Sequence, residues 1–304
     1  MKRRDFLLKS ALMGGAAALM PTHKLFAAQE SAFKLIRRDV GTFVGRGGTI
    51  GWLLNKDAVV AVDSQFPQSA QNFVDGMKER TTLEFDMLIN THHHGDHTGG
   101  NQVFQKTVKN IVAHKNVPTL QKAAGNRIQN EENKKAYFAR QAYADVTYDE
   151  KWKKDVGDET VHLTYYGVAH TSGDSVVYFE KANIAHMGDL MFNRFRPFID
   201  RASGASIANW VKVLNKTVND LPSDAIYIYG HGNPEYGITG SKEDLLVLGN
   251  YLTGMLEFTQ KEINAGKSKE EIMQAEGIPG FPEFNVGVAL NRCLGTAYDE
   301  LTEG

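Results

Sequence analysis

Thr91-His92-His93-His94-Gly95-Asp96-His97 is the stretch on which the reading of this chain turns. It follows Phe85-Asp86-Met87-Leu88-Ile89, a short apolar run with strand character, through the single residue Asn90. In extended backbone, side chains two apart project to the same side, so His92 and His94 share a face. Asp96 and His97 are adjacent, turn to different sides, and could serve a second centre. Imidazole and carboxylate are common ligands of zinc, which takes about four donors. Four histidines and an aspartate between positions 92 and 97, at the end of a strand, point to a bound cation.

One short segment cannot complete two coordination spheres, so further donors must come from later in the chain. Three candidates sit at strand ends beside a glycine or small-residue turn. They are His170 in Val168-Ala169-His170-Thr171-Ser172-Gly173-Asp174, Asp189 in His186-Met187-Gly188-Asp189, and His231 in Tyr229-Gly230-His231-Gly232. His93 lies between candidate ligands, and His114, His162 and His186 read as core or surface histidines.

Working outward, Phe33–Asp63 reads as consecutive strands, with Asn55-Lys56-Asp57 as a turn between Thr49–Leu54 and Ala58–Val62. The Gly45–Gly48 stretch lacks the spacing of a phosphate-binding loop and reads as a glycine-rich hairpin. Helical periodicity covers Ser69–Arg80, with Phe73 and Met77 four apart, and a strand follows at Ile111–Ala113. Residues 116–158 are polar and read as mostly helical, an amphipathic pair or a lid carrying Tyr137, Phe138, Tyr143 and Tyr148. Strands return at Val161–Tyr166, Ser175–Glu180, Asn183–Met187 and Ala225–Tyr229, with a helix over Ser206–Leu221. From about residue 241 the chain is helix-forming, through Tyr251–Ala265 and Lys269–Glu276. Strands alternating with helices predict a layered α/β fold, and the opening meander disfavours a purely parallel sheet. Two sheets with helices outside both fit this order.

The 304 residues carry 34 Lys+Arg against 36 Asp+Glu, with 42% hydrophobic residues. This is the composition of a globular chain, and it excludes collagen, coiled coil and extended disorder. The single cysteine, Cys293, permits neither an internal disulfide nor a cysteine zinc cage. Near-neutral charge argues against a nucleic-acid partner. No apolar run reaches the roughly 18–20 residues of a membrane-spanning helix. Residues 1–28 read as a signal peptide: Lys2-Arg3-Arg4-Asp5-Phe6-Leu7-Leu8-Lys9, an apolar small-residue stretch over Ala11–Met20, and a cut near Ala27 or Ala28. The paired arginines before x-Phe-Leu resemble a twin-arginine signal, which implies the twin-arginine export machinery as a partner and a periplasmic or otherwise exported destination. That segment holds five cations against Asp5, a net +4, so residues 29–304 carry −6. They are expected to form one domain with no stable membrane insertion after cleavage.

His-x-His-x-Asp-His followed by separate His, Asp and His resembles the metallo-β-lactamase-fold hydrolases. The resemblance implies a four-layer αβ/βα sandwich and two Zn2+ ions per chain. It implies His92, His94 and His170 for the first ion, Asp96, His97 and His231 for the second, and Asp189 bridging both. Asp63 resembles the family's acid that supports the histidine loop from behind. Asp189 stands where class B1-like lactamases have cysteine, an arrangement closer to glyoxalase II-like thioesterases and lactonases. Phe192 stands where such lactonases often carry tyrosine.

The implied activity is hydrolysis of an ester, thioester, lactone or β-lactam bond of a small molecule by a metal-bridged hydroxide, with Asp96 also accepting a proton. Arg194 and Arg196, in Phe192-Asn193-Arg194-Phe195-Arg196-Pro197-Phe198, are candidates to pair with a substrate carboxylate. The hairpin with Phe43 and Arg46 is expected to overhang the site. Two other readings stay open: a mononuclear-iron persulfide dioxygenase-like enzyme, and a non-catalytic periplasmic metal-binding or relay protein.

Overall fold

Val59-Val60-Ala61-Val62 sends alternate side chains to opposite faces of a strand, and all four are buried, so both faces of that strand must be covered. The computed structural model, which describes residues 32–303, shows what covers them. The signal-like segment lies outside the described residues.

The first sheet follows chain order: β1 (Phe33–Arg37), β2 (Val40–Phe43), β3 (Ile50–Leu54), β4 (Val59–Val62), β5 (Met87–Asn90), β6 (Ile111–His114) and β7 (Val146–Tyr148). Its first four strands form the antiparallel meander, and β4 to β7 run parallel. The second sheet contains β8 (Lys151–Val156), β9 (Glu159–Thr164), β10 (Val176–Phe179), β11 (Ile184–His186), β14 (Ile226–Ile228) and β16 (Thr239–Gly240), in the order β16-β14-β11-β10-β9-β8. Two short ladders complete the strands: β12 (Phe192–Asn193) with β15 (His231–Gly232), and β13 (Phe195–Arg196) with β17 (Val286–Gly287).

Val60, Val62, Met87 and Ile89 of the first sheet pack on Leu163, Val177, Phe179 and Ile228 of the second. Val59 and Ala61 face the other way, onto Phe73 and Met77 of helix α1 (Pro67–Lys78). The one-turn helices α2 (Gly95–Thr98) and α3 (Asn101–Phe104) follow β5, and α4 (Asn116–Asn126) and α5 (Glu131–Phe138) follow β6. The outer face of the second sheet is covered by α6 (Ile207–Asp220), α7 (Lys242–Asn264), α8 (Lys269–Ile272) and α9 (Leu290–Glu303), with Trp210, Leu214, Leu248 and Leu252 buried. Burying each such side chain contributes about 1.5–3 kcal/mol. The layers are helix, sheet, sheet, helix, as the resemblance implied.

One sequence expectation is corrected. The polar stretch 116–158 is helical only as far as Phe138; β7 and β8 follow. Both are sheet-edge strands, and Lys151, Lys153, Lys154 and Asp155 on β8 give an edge the polar character that mimics an exposed helix. Helix α7 starts at Lys242, where the sequence turns helix-forming, because the Ser241 N–H donates to Asp244 Oδ2 at 3.2 Å and fixes the helix start there. Among the described residues no helix is long and apolar enough to cross a membrane.

Candidate metal centre

The donors converge where strand ends of the two sheets meet. The loop after β5 carries His92 and His94, and helix α2 carries Asp96 and His97. From the second half of the chain, His170 lies in the turn between β9 and β10, Asp189 in the 3-10 turn Gly188–Leu190 after β11, and His231 at the start of β15, just after β14. All seven candidate ligands are therefore brought together.

They form two groups. In the first, His94 Nδ1 lies 3.1 Å from His92 Nε2 and 3.0 Å from His170 Nε2, while Asp189 Oδ2 is 3.7 Å and 3.5 Å from the same two Nε2 atoms. In the second, Asp96 Oδ2 lies 3.7 Å from His97 Nε2 and 3.1 Å from His231 Nε2, and those two nitrogens are 3.4 Å apart. Asp189 Oδ1 joins that group at 3.0 Å from His97 Nε2 and 3.4 Å from His231 Nε2. Four donors arranged tetrahedrally at about 2.0–2.1 Å from an ion stand roughly 3.3 Å apart, which is the spacing found in both groups. Asp189 Oδ1 is buried and hydrogen-bonded to nothing, although two imidazole nitrogens face it. An unpaired buried carboxylate oxygen is costly, and a cation between these atoms relieves that cost. The residues present thus fit metal ions.

The opposite ring nitrogens are tied back. His97 Nδ1 is 2.7 Å from Asp63 Oδ2, and His170 Nδ1 donates to the Phe198 carbonyl at 2.8 Å. His92 Nδ1 meets Thr91 Oγ1 at 3.1 Å, and that hydroxyl donates to Asp63 Oδ2 at 2.8 Å. His94 Nε2 is 3.0 Å from Asp200 Oδ2. A proton held on each tied nitrogen leaves the other lone pair facing the centre. Asp63 is fully buried, and its φ of 65° puts a non-glycine residue in the left-handed region, a strain kept where the surrounding structure over-determines it. Sequence reasoning missed Asp200, which stands 106 residues from the histidine it braces. His93 is turned away from both groups and meets Ser203 Oγ at 3.2 Å.

Charge inside the cluster divides. Burial lowers His92 and brings His170 down to about 3, so both imidazoles are neutral. Burial opposes a charge on His231 too, but Asp189 and Asp96 prevail and lift it to about 9; His97 is raised in the same way. Burial pushes Asp96 up, yet His97 and His231 beside it bring its carboxyl down to about 2. Asp189 is likewise held low, against burial, by His231 and His97. Two glycines make room: a Cβ on Gly48 would fall 2.1 Å from His97 Cε1, and one on Gly230 would fall 2.1 Å from Asp189 Oδ1.

Above the donors lies a cavity of about 450 Å³ lined by Phe66, Phe192, Phe195, Phe198 and Val288, with His94, Asp96, Asp189 and His231 at its floor. Arg194 and Arg196 are not among its lining. Arg194 pairs with Asp244 and stacks on Tyr236, with its guanidinium 5.0 Å from the ring centre. Arg196 donates to the Val288 and Phe284 carbonyls at 2.6 Å and 2.8 Å. The structure thus gives both arginines internal partners in place of the expected substrate-facing position. Cys293 is buried against the Pro197 carbonyl, with burial raising its thiol to about 11, which leaves it inert.

A sequence profile of the metallo-beta-lactamase superfamily matches residues 74–231, just over half the chain, from within α1 to the last donor. The chain belongs to the metallo-beta-lactamase superfamily. Within that superfamily it is similar to metallo-beta-lactamase IND-1 of Chryseobacterium indologenes, 24% identical over 201 residues, covering 64% of this chain and 77% of that one. It is 23% identical over 190 residues to metallo-beta-lactamase type 2 of Elizabethkingia meningoseptica, covering 59% and 67%. Among solved structures, the sec-alkylsulfatase Pisa1 from Pseudomonas sp. superposes with a TM-score of 0.66 at 12% identity, over 89% of this chain and 50% of that longer one. A metallo-beta-lactamase from Pontibacter korlensis superposes at 0.59 with 16% identity, over 73% and 98%. At such identities the structural likeness speaks for the metallo-beta-lactamase fold and not for a substrate.

Proposed function

We propose that this member of the superfamily is an exported, zinc-dependent hydrolase of a small molecule, using two zinc ions per chain. The observation that carries the reading is the Asp189 carboxylate, whose two oxygens face two separate groups of donors. His92, His94 and His170 would hold one ion, Asp96, His97 and His231 the other, and Asp189 both. When bound, such a pair supplies Lewis acidity and brings the pKa of water from 15.7 to near 7, so that water becomes a nucleophile at neutral pH.

The chain's own residues do the rest. Asp63, Thr91, Asp200 and the Phe198 carbonyl keep the imidazoles aimed inward. Asp96 is ionised at neutral pH and lines the cavity, so its carboxylate is the group placed to take a proton from the attacking water. The phenylalanine walls bind the substrate body and exclude bulk water from the reacting bond. The bond is an ester, thioester, lactone or β-lactam. The twin-arginine-type segment in residues 1–28 supports export through that machinery to the periplasm or beyond.

Metal analysis of the purified chain beside an Asp189→Ala control tests the reading. Two zinc per chain, with loss in the control, together with turnover in a screen of esters, thioesters, lactones and β-lactams, is the expected result. A single iron would replace it with oxygen-dependent sulfur chemistry, and no bound metal with a binding role.

A further inference from the structure

The cavity's chemistry is unusual in where it puts positive charge. Its walls are Phe66, Phe192, Phe195, Phe198 and Val288, and no lysine or arginine lines it. The two arginines nearest in sequence to the walls, Arg194 and Arg196, are turned onto Asp244 and onto main-chain carbonyls. An anion beside the scissile bond would therefore meet no lysine or arginine side chain in this cavity. Just outside, the arrangement reverses. Arg46 of the glycine-rich hairpin stacks on Phe66, its guanidinium carbon 5.3 Å from the ring centre, and Arg292 of α9 stacks on Phe198 at 5.6 Å. Both are exposed, and among the described residues neither has a carboxylate in ion-pair range.

These two arginines come from opposite ends of the chain, each lying over a ring that lines the cavity. Phe66 belongs to the half that carries His92–His97, whereas Phe198 and Arg292 belong to the half that carries His170, Asp189 and His231. Stacking holds a guanidinium in place without using its N–H donors, which stay free for a carboxylate, sulfonate or phosphate.

We infer that the substrate is an amphiphilic anion: a hydrolysable bond at the metal end, an apolar or aromatic body against the phenylalanines, and a negative group at the far end held by Arg46 and Arg292. This rests on the hydrolase reading and adds the substrate class to it. Because the charge sits one body-length from the reacting bond, recognition is a question of length as well as sign.

The test uses the full zinc-loaded chain and paired aryl esters of increasing alkyl spacer, each ending in a carboxylate or in the matching neutral methyl amide. The expected result is a preference for the carboxylate that appears only above a threshold spacer length. In Arg46→Ala/Arg292→Ala the carboxylate-over-amide ratio of kcat/KM falls by about tenfold. Arg292→Glu should move the preference toward a trimethylammonium-ended ester, a gain that misfolding cannot produce. Binding of 6-phenylhexanoate against 6-phenylhexanol, measured by calorimetry on the same proteins, separates this proposal from the hydrolase reading. If no ester is turned over but the acid binds more tightly and loses that advantage in the double variant, hydrolysis fails and the anion site stands. An affinity for the acid that survives loss of both arginines means that its carboxylate goes to the metals, and overturns the proposal. Equal use of acid and amide at every length overturns it as well.

Discussion

Asp63 Oδ2 lies 2.7 Å from His97 Nδ1, with both side chains fully buried, and the same oxygen accepts the Thr91 hydroxyl that backs His92. One carboxylate thus orients an imidazole in each donor group. Asp63→Asn keeps the size and tolerates the left-handed backbone, but it replaces a charged acceptor with an amide. Zinc affinity should fall about 10–100-fold while the fold persists, as for other outer-sphere partners. Chelator competition measures it, and unchanged affinity at both sites would refute the assignment.

Asp200 plays the same part for His94 alone, at 3.0 Å from its Nε2, and its carboxyl is held low by that contact and by Ser203 against the effect of burial. Asp200→Ala should therefore weaken one metal and spare the other. Titrating zinc into the apo variant should give one tight step and one step weakened by about tenfold or more.

Gly48 passes directly over the His97 ring, with its missing Cβ 2.1 Å from Cε1 and 2.4 Å from Nε2. The Gly48 N–H donates to the Asp96 carbonyl at 3.0 Å, which pins the hairpin there. Gly48→Ala must push either the hairpin or the imidazole aside, at a cost of about 1–3 kcal/mol. Metal content should drop from two toward one per chain; two tightly held ions in this variant would count against the second site.

His231 and His97 are raised in the metal-free chain, His231 to about 9, because carboxylates around them outweigh burial. Their protonation stabilises the metal-free fold fully below the unfolded value of about 6.5, and that contribution is lost as the pH climbs through about 9. Metal needs the same nitrogens free of protons, so zinc affinity should move the opposite way, rising with pH across this window by up to roughly tenfold per unit for each proton displaced. Melting of the apo chain and chelator competition, from about pH 6 to about pH 9.5, measure both arms. A flat affinity profile would show that the protons are not where these contacts put them.

Arg194→Ala should act on stability and not on substrate affinity. Its partner Asp244 also accepts from the Tyr229 hydroxyl at 2.7 Å and from the Ser241 N–H, so losing the guanidinium leaves a half-buried carboxylate underpaired at the start of α7. The expected loss is about 1–3 kcal/mol, read by denaturant melting, with KM unmoved. A raised KM at unchanged stability would return Arg194 to the substrate.

The donors were legible because each is a residue type with few other uses at a strand end, and four of them sit within six positions from His92 to His97. Their braces were less so. Asp63 was found through the resemblance, but Asp200 and Thr91 act through contacts that no spacing rule encodes, since an aspartate after Phe198-Ile199 looks like any loop acid. The layer order was readable from short apolar runs such as Val59–Val62 alternating with helical segments. The edge strands β7 and β8 were not: charged residues that protect the β8 edge erase its apolar character, and β7 is only the three residues Val146–Tyr148. Arg194 and Arg196 misled for a related reason: a guanidinium near a site looks alike in sequence whether it faces a ligand or the Asp244 side chain.

Each donor group draws two members from the chain before α3 and two from the chain after β9, with Asp189 counted in both. Neither stretch owns a complete set. The centre is therefore a seam and not a hollow in a finished scaffold: until both sheets have docked there is nothing for an ion to occupy, and once it is occupied the sheets are riveted at their ends. An ion held there would tie one sheet to the other, so its removal should loosen their docking.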